Sequence, residues 1–128
     1  ALAWAAYFKD WTGPVSGERP SGYIVIVQDQ ANKMLSGIDY GIAAQTILLG
    51  AAEMGLGGCM IGNINKPKLE DALEIPENYE ILLVIALGKP KEKVVLDEID
   101  LQGDIKYWRD AEQVHHVPKR KLKDIVLN

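Results

Sequence analysis

Four cations stand within five positions near the C-terminal end, in the run VPKRKLK at residues 117–123: Lys119, Arg120, Lys121 and Lys123. The chain of 128 residues has a formal net charge of −4 and a pI of about 5.1, so this cluster suits a small anion such as a phosphate group. It is too little for a nucleic-acid backbone, which requires a broad basic surface. Charge alone is also satisfied by an ordinary solvated face. The other stretch with chemical potential is nearly free of reactive side chains: GLGGCMIGN, residues 55–63. Main-chain amides left unobstructed at glycine can hydrogen-bond a flat heterocycle rich in acceptors. A helix end followed by a turn accounts for Gly55 and Gly57, but has no use for Gly58 or Gly62. Neither of the glycine patterns that cradle a nucleotide phosphate occurs.

The remaining reactive side chains have plainer readings. His115 and His116 are adjacent, so on an extended segment they face opposite sides and cannot share one metal ion; one packed and one solvated histidine is the expectation. Cys59 is the only cysteine, which excludes a disulfide framework, and it reads as a buried, inert thiol. Asp97, Glu98, Asp100 and Asp104 lack the spacing of a calcium loop and read as a solvated loop. Taken together, amides for a planar acceptor-rich group and a short basic cluster for an anion are what a flavin mononucleotide asks of a protein.

The elements that must position these residues alternate along the chain. A hydrophobic content of 48% over this length fills one core and indicates one domain over residues 1–128. The start, ALAWAAYFKDW, reads as the end of a helix packed on something, and with no Met before it suggests a fragment of a longer product. Two Pro and three Gly within residues 11–22 make a surface loop. Residues 23–29, YIVIVQD, read as a buried central strand. Residues 39–54 read as a helix buried over much of its circumference, with Asp39 capping its start and Gly55 its end. KPKLEDAL, residues 66–73, reads as a short helix with Pro67 in its first turn. YEILLVIALG, residues 79–88, reads as a second buried strand. The tail, residues 104–128, alternates polar with apolar, ends in an amphipathic segment over 121–127, and calls for a surface to pack on, its own or a partner's. No apolar run is long enough to span a bilayer, and the cytoplasm is the expected compartment.

The runs DYGIAAQTILLGAAEMGLGGCMIGNINKPKLEDALEIPENY, ALGKP and IKYWRDAEQVHHVPKRKLKDIV, with the loop KDW.GP..GERP at residues 9–20, resemble the C-terminal two-thirds of the nitroreductase family in its short bacterial branch. The resemblance implies an α+β fold, a mixed β-sheet flanked by helices, in a domain-swapped homodimer whose C-terminal tail embraces the partner. It implies that Met60, Ile61, Gly62 and Asn63 lie along the isoalloxazine ring of FMN, with an amide near Gly62 facing flavin N5, and that Lys119 and Arg120 reach the flavin phosphate. It implies hydride transfer from NADH or NADPH through the flavin to a nitroaromatic, a quinone or a similar acceptor, with no catalytic side chain, no metal and no nucleic-acid or membrane partner. The Arg-rich opening helix of the family, which grips the phosphate and ribityl chain, has no counterpart in these residues. A flavin-binding protein without turnover and an interaction module without flavin are the alternatives.

Overall fold

The computed structural model describes residues 1–5, 7, 8, 10–35 and 38–127, without the side chains of residues 33–35. Lys9, which opens the expected loop motif, and Asn128, which ends the tail, lie outside the described residues. The chain forms two compact units, Ala1–Trp4 with Thr12–Pro90 and Ala5–Trp11 with Lys91–Asn128.

The first unit is built on a three-stranded antiparallel sheet in which β3 (Tyr79–Gly88) lies between β1 (Gly22–Asp29) and β2 (Gly57–Ile61). The expected central position of β1 is therefore corrected. β1 pairs on one side only and is half-covered, whereas β3 is paired on both sides and holds the fully buried Ile81, Val84 and Ile85. Ile61, Val84 and Ala86 form the core, with Leu2, Trp4, Val25, Ile64 and Leu69 packed against it.

Helix α1 (Asp39–Glu53) connects β1 to β2 and buries only Ala44 and Ala51. Tyr40, Ile47 and Leu48 are partly covered beside them, but Ile42, Leu49 and the C-cap Met54 remain well exposed, so the expected burial around much of the helix is not found among the described residues. Asp39 sits in the first turn, where a carboxylate favours the helix dipole, but Ile38 is the N-cap and no side chain caps it. Gly55, at φ +73°, provides the left-handed turn that ends the helix, as expected. Helix α2 (Lys66–Leu73) carries Pro67 in its first turn, and Asn65 caps it by accepting from the Lys68 amide at 3.2 Å.

Residues 11–21 run as turns and irregular chain before β1, as expected of their glycines and prolines; Gly22, the last residue of the expected loop, opens the strand. The start of the chain is not the helix end expected of it. Leu2 makes an antiparallel bridge to Ile64, flanked by hydrogen bonds from Ala3 N to Asn63 O at 3.0 Å and from Asn65 N to Ala1 O at 2.7 Å.

The second unit contains a mixed three-stranded sheet: β6 (His115–Arg120) lies between β4 (Val94–Ile99), to which it is parallel, and the two-residue β5 (Trp108–Arg109), to which it is antiparallel. The acidic stretch expected to be loop is in part strand, since Asp97 and Glu98 belong to β4. Among the described residues of this unit Val114 is the buried apolar side chain, while Ile105, Leu122, Ile125 and Leu127 are exposed. Among the described residues no helix is long and apolar enough to cross a membrane.

Candidate functional site

The glycine-rich stretch becomes β2 and the turn that follows it. Gly58 has a structural use that the sequence did not reveal: a Cβ there would overlap Leu48 Cδ2, stand 2.8 Å from Leu87 Cδ2 and 3.1 Å from Ala86 O. The missing side chain is what lets α1 seat on the sheet. Gly57 is similarly tight against Pro90, whose Cγ would lie 3.0 Å from an added Cβ. Gly62 differs from both. Nothing stands within 4 Å of a Cβ built there, and its φ lies outside the left-handed range, so neither packing nor backbone geometry demands glycine.

Around it, Met60, Gly62 and Asn63 are exposed, and Asn63 O is occupied by the Ala3 amide. Ile61 is 4% exposed and its side chain belongs to the core, so only its main chain is available to a ligand. β2 is an edge strand; every second residue turns its amide and carbonyl away from β3. Cys59 is exposed, not buried as expected, and its Sγ lies 3.5 Å from Met60 O.

Lys119 and Arg120 are the last residues of β6, both exposed. Arg120 Nε donates to Leu101 O at 3.0 Å, and among the described residues neither cation makes an ion pair. Lys121, from the same basic cluster, is committed: its Nζ lies 2.9 Å from Asp100 Oδ1, and that hydrogen bond raises its pKa. Ion pairing thus separates the cluster into held and available members, a distinction that composition could not make. The ring-facing and phosphate-facing candidates fall in different units.

Both histidines are largely covered, which corrects the expected division into one packed and one solvated. His115 packs among Phe8 and Tyr107, with ring centroids at 5.3 and 5.4 Å. Its Nδ1 is 3.1 Å from Glu92 Oε2, close enough for an ion pair but out of line for a hydrogen bond. Arg109 Nε donates to Glu92 Oε1 at 2.9 Å, and its guanidinium lies 4.5 Å from the Phe8 ring centre and 5.1 Å from that of Trp11. Burial pushes the Glu92 carboxyl up, but His115 and Arg109 outweigh it and hold the group below the usual range. On the opposite face His116 lies flat on Trp108, centroids 4.2 Å apart at 12°, with Nδ1 2.9 Å from Asp97 Oδ2 and Nε2 3.4 Å from Asp110 Oδ2. No group of three or more metal-ligating side chains is found among the described residues.

Comparison with known proteins decides the family. The model of the nitroreductase family matches residues 17–89, more than half of the chain and including β1, α1, β2, α2 and β3. This chain belongs to the nitroreductase family. It is 38% identical over 61 residues to an NADPH-flavin oxidoreductase of Vibrio harveyi, a match that covers 46% of this chain and 25% of that protein. It is similar to the structure of an FMN-dependent nitroreductase of Clostridium difficile, at 30% identity and a TM-score of 0.51 over 56% of this chain and 46% of the other. A nitroreductase family protein of Clostridium novyi is 37% identical, with a TM-score of 0.49 over 54% of this chain and 43% of that one. This nitroreductase-family chain therefore spans less than half the length of each of these relatives.

Proposed function

We propose that this nitroreductase-family chain serves an FMN-dependent oxidoreductase, a cytoplasmic homodimer that passes hydride from NADH or NADPH to a nitroaromatic, a quinone or a similar small acceptor. The observation that carries the reading is the family match running through the exposed end of β2, where Gly62 leaves the main chain open with no structural need for glycine. The names of the relatives, an NADPH-flavin oxidoreductase and an FMN-dependent nitroreductase, support the same cofactors.

The residues present fit FMN. At Gly62 a ring can approach the backbone without displacing a side chain, and Met60 and Asn63 flank it, with Ile61 contributing main chain only. Lys119 and Arg120 offer charge-assisted donors to phosphate oxygens. FMN, when bound, supplies the redox chemistry. The chain's own part is to hold and orient: the amide near Gly62 fixes the ring's polar edge, and the two cations fix the phosphate. None of the side chains at positions 60–63 can carry a proton to or from an acceptor. A partner subunit would cover Ile42 and Leu49 of α1, Met54 at its C-cap, and Ile125 and Leu127 of the tail, all exposed in the single chain.

The test is the colour and reactivity of the purified protein. A yellow preparation that bleaches rapidly when mixed anaerobically with NADPH is expected. A colourless protein that takes up no added FMN overturns the reading, and one that holds FMN but bleaches slowly is a flavin carrier without turnover. Replacing Lys119 and Arg120 together with Ala should weaken FMN binding by more than tenfold, since each charge-assisted contact is worth about 1.5–3 kcal/mol. Unchanged affinity removes both from the site.

A further inference from the structure

His116 is held by groups from three neighbouring segments. Asp97 comes from β4, Trp108 from β5, and Asp110 from the turn that follows β5. His115, Glu92 and Arg109 lie on the other face of the strand. Asp110 is itself fixed, its Oδ1 accepting from the amides of Glu112 and Val114 at 2.9 Å each. Both ring nitrogens of His116 therefore face carboxylates. A neutral imidazole has one N–H and would turn a lone pair toward one of them; only the imidazolium donates to both. The flat stack on Trp108 favours the same form, since the indole face attracts a cation. Asp97 and Trp108 also line an open depression of about 600 Å³, so the cluster is in contact with solvent protons.

The strand so held is the one that ends in Lys119 and Arg120. Alternation along β6 puts His116, Pro118 and Arg120 on one face and His115 and Lys119 on the other. We propose that His116 is a positioning residue: as the imidazolium between Asp97 and Asp110 it fastens β6 to β4 and to the turn after β5, and so fixes where the strand presents Lys119 and Arg120. The positioning rests on the reading of those cations as phosphate ligands; the fastening does not.

The direction of the pH dependence follows. Burial alone would lower the His116 pKa, but Asp110 and Asp97 outweigh it and raise the value above the ordinary 6.5. Protonation is thus favoured in the folded state. The fastening is fully present below about 6.5, the ordinary histidine value, and is lost as pH rises through the raised one. It should weaken by about tenfold for each unit by which the folded value exceeds the ordinary one.

Two readouts on the full chain test this between pH 7 and 9, where a phosphate with its second pKa near 6 has settled into its dianion. One is the amide exchange protection of His116, Val117, Lys119 and Arg120, relative to unstructured rates. The other is the ratio of FMN to riboflavin affinity, which isolates the phosphate. In the wild type both should fall together as pH rises. In His116→Gln both should be low and flat. Should that variant not fold, Asp110→Asn keeps the Oδ1 acceptor of the turn, removes the charge, and should move the wild-type profile to lower pH. Protection that is flat with pH in the wild type overturns the fastening. Protection that falls while the affinity ratio stays constant and above one overturns the positioning. Equal affinity for FMN and riboflavin at every pH overturns the phosphate reading and the positioning with it, while the protection profile still decides whether His116 holds the strand.

Discussion

The two units hold three strands each by different means. In the first, β3 is an almost unbroken apolar run paired on both sides, and the core around Ile61, Val84 and Ala86 contains no titratable side chain. In the second, β6 is polar and basic, and its neighbours are gathered around two histidines, three carboxylates and an arginine. Apolar burial is indifferent to pH and proportional to area. Hydrogen-bonded ion pairs are directional and depend on protonation. A small unit with few apolar residues can thus be specific in shape yet sensitive to its medium, while the larger one is robust and provides the rigid edge from which a backbone site can be presented.

Deep core truncation should break the first unit hardest. Ile85 is fully buried in the centre of β3, and Ile85→Ala should cost about 2–5 kcal/mol through lost burial and the cavity left behind. Chemical denaturation followed by circular dichroism measures it; a cost below about 1 kcal/mol would mean that burial is not what holds this sheet. Gly58→Val comes next. The added side chain meets Leu48 and Leu87 side chains and the Ala86 carbonyl, and since only the leucines can yield, a loss of about 1–3 kcal/mol is expected. A neutral result would show that α1 is free to lift off β2.

Acid should separate the units. Glu92 is held below the usual carboxylate range by His115 and Arg109 against the upward push of burial; Asp110 is lowered chiefly by the Val114 amide, with His116 adding to it. Groups with lowered folded values stabilise above their ordinary pKa, and that stability disappears as pH falls through the lowered values. Amides of β4, β5 and β6 should therefore lose exchange protection on titration below about pH 4, the ordinary carboxylate range, before those of β3 do. Simultaneous loss in both units would mean that these pairs contribute nothing selective to the second.

How much of this was legible follows the same division. Period and composition located β1, α1, α2 and β3, because apolar runs, Pro67 and Gly55 act locally. They misplaced β1 as a central strand because pairing partners are a matter of topology, not of local pattern. They expected α1 to be covered on more sides than one sheet can cover. In the second unit the pattern fails: adjacency in a strand predicts one packed and one solvated histidine, since nothing in the sequence announces that Asp97, at 19 positions' remove, and Asp110 converge on the His116 ring. The site residues divide likewise. Lys119 and Arg120 were distinguishable as basic, but that Lys121 is taken by Asp100 required the structure. Gly58 and Gly62 looked equivalent as letters, and only the neighbours of their absent Cβ atoms tell them apart.

That contrast yields the substitution with the smallest effect on stability and the most to say about function. Gly62 lies just past the edge strand β2 with an ordinary φ and open space where a side chain would go, so Gly62→Val should change unfolding free energy by no more than about 0.5 kcal/mol, as for other unencumbered surface positions. If the residue's main chain packs against a flavin ring, however, the same valine must push the ring off or turn the amide out of line. A misplacement of about 1 Å at a reacting centre can cost on the order of a hundredfold in rate. The expected outcome is an unaltered melting profile without flavin, together with lower FMN occupancy or much slower reduction by NADPH. Gly58→Val, which disturbs packing directly, supplies the opposite signature, stability lost first and flavin second. Were Gly62→Val to bind FMN normally and be reduced at the wild-type rate, the open glycine would be no more than a surface position, and the ring would have to be sought elsewhere than at the end of β2.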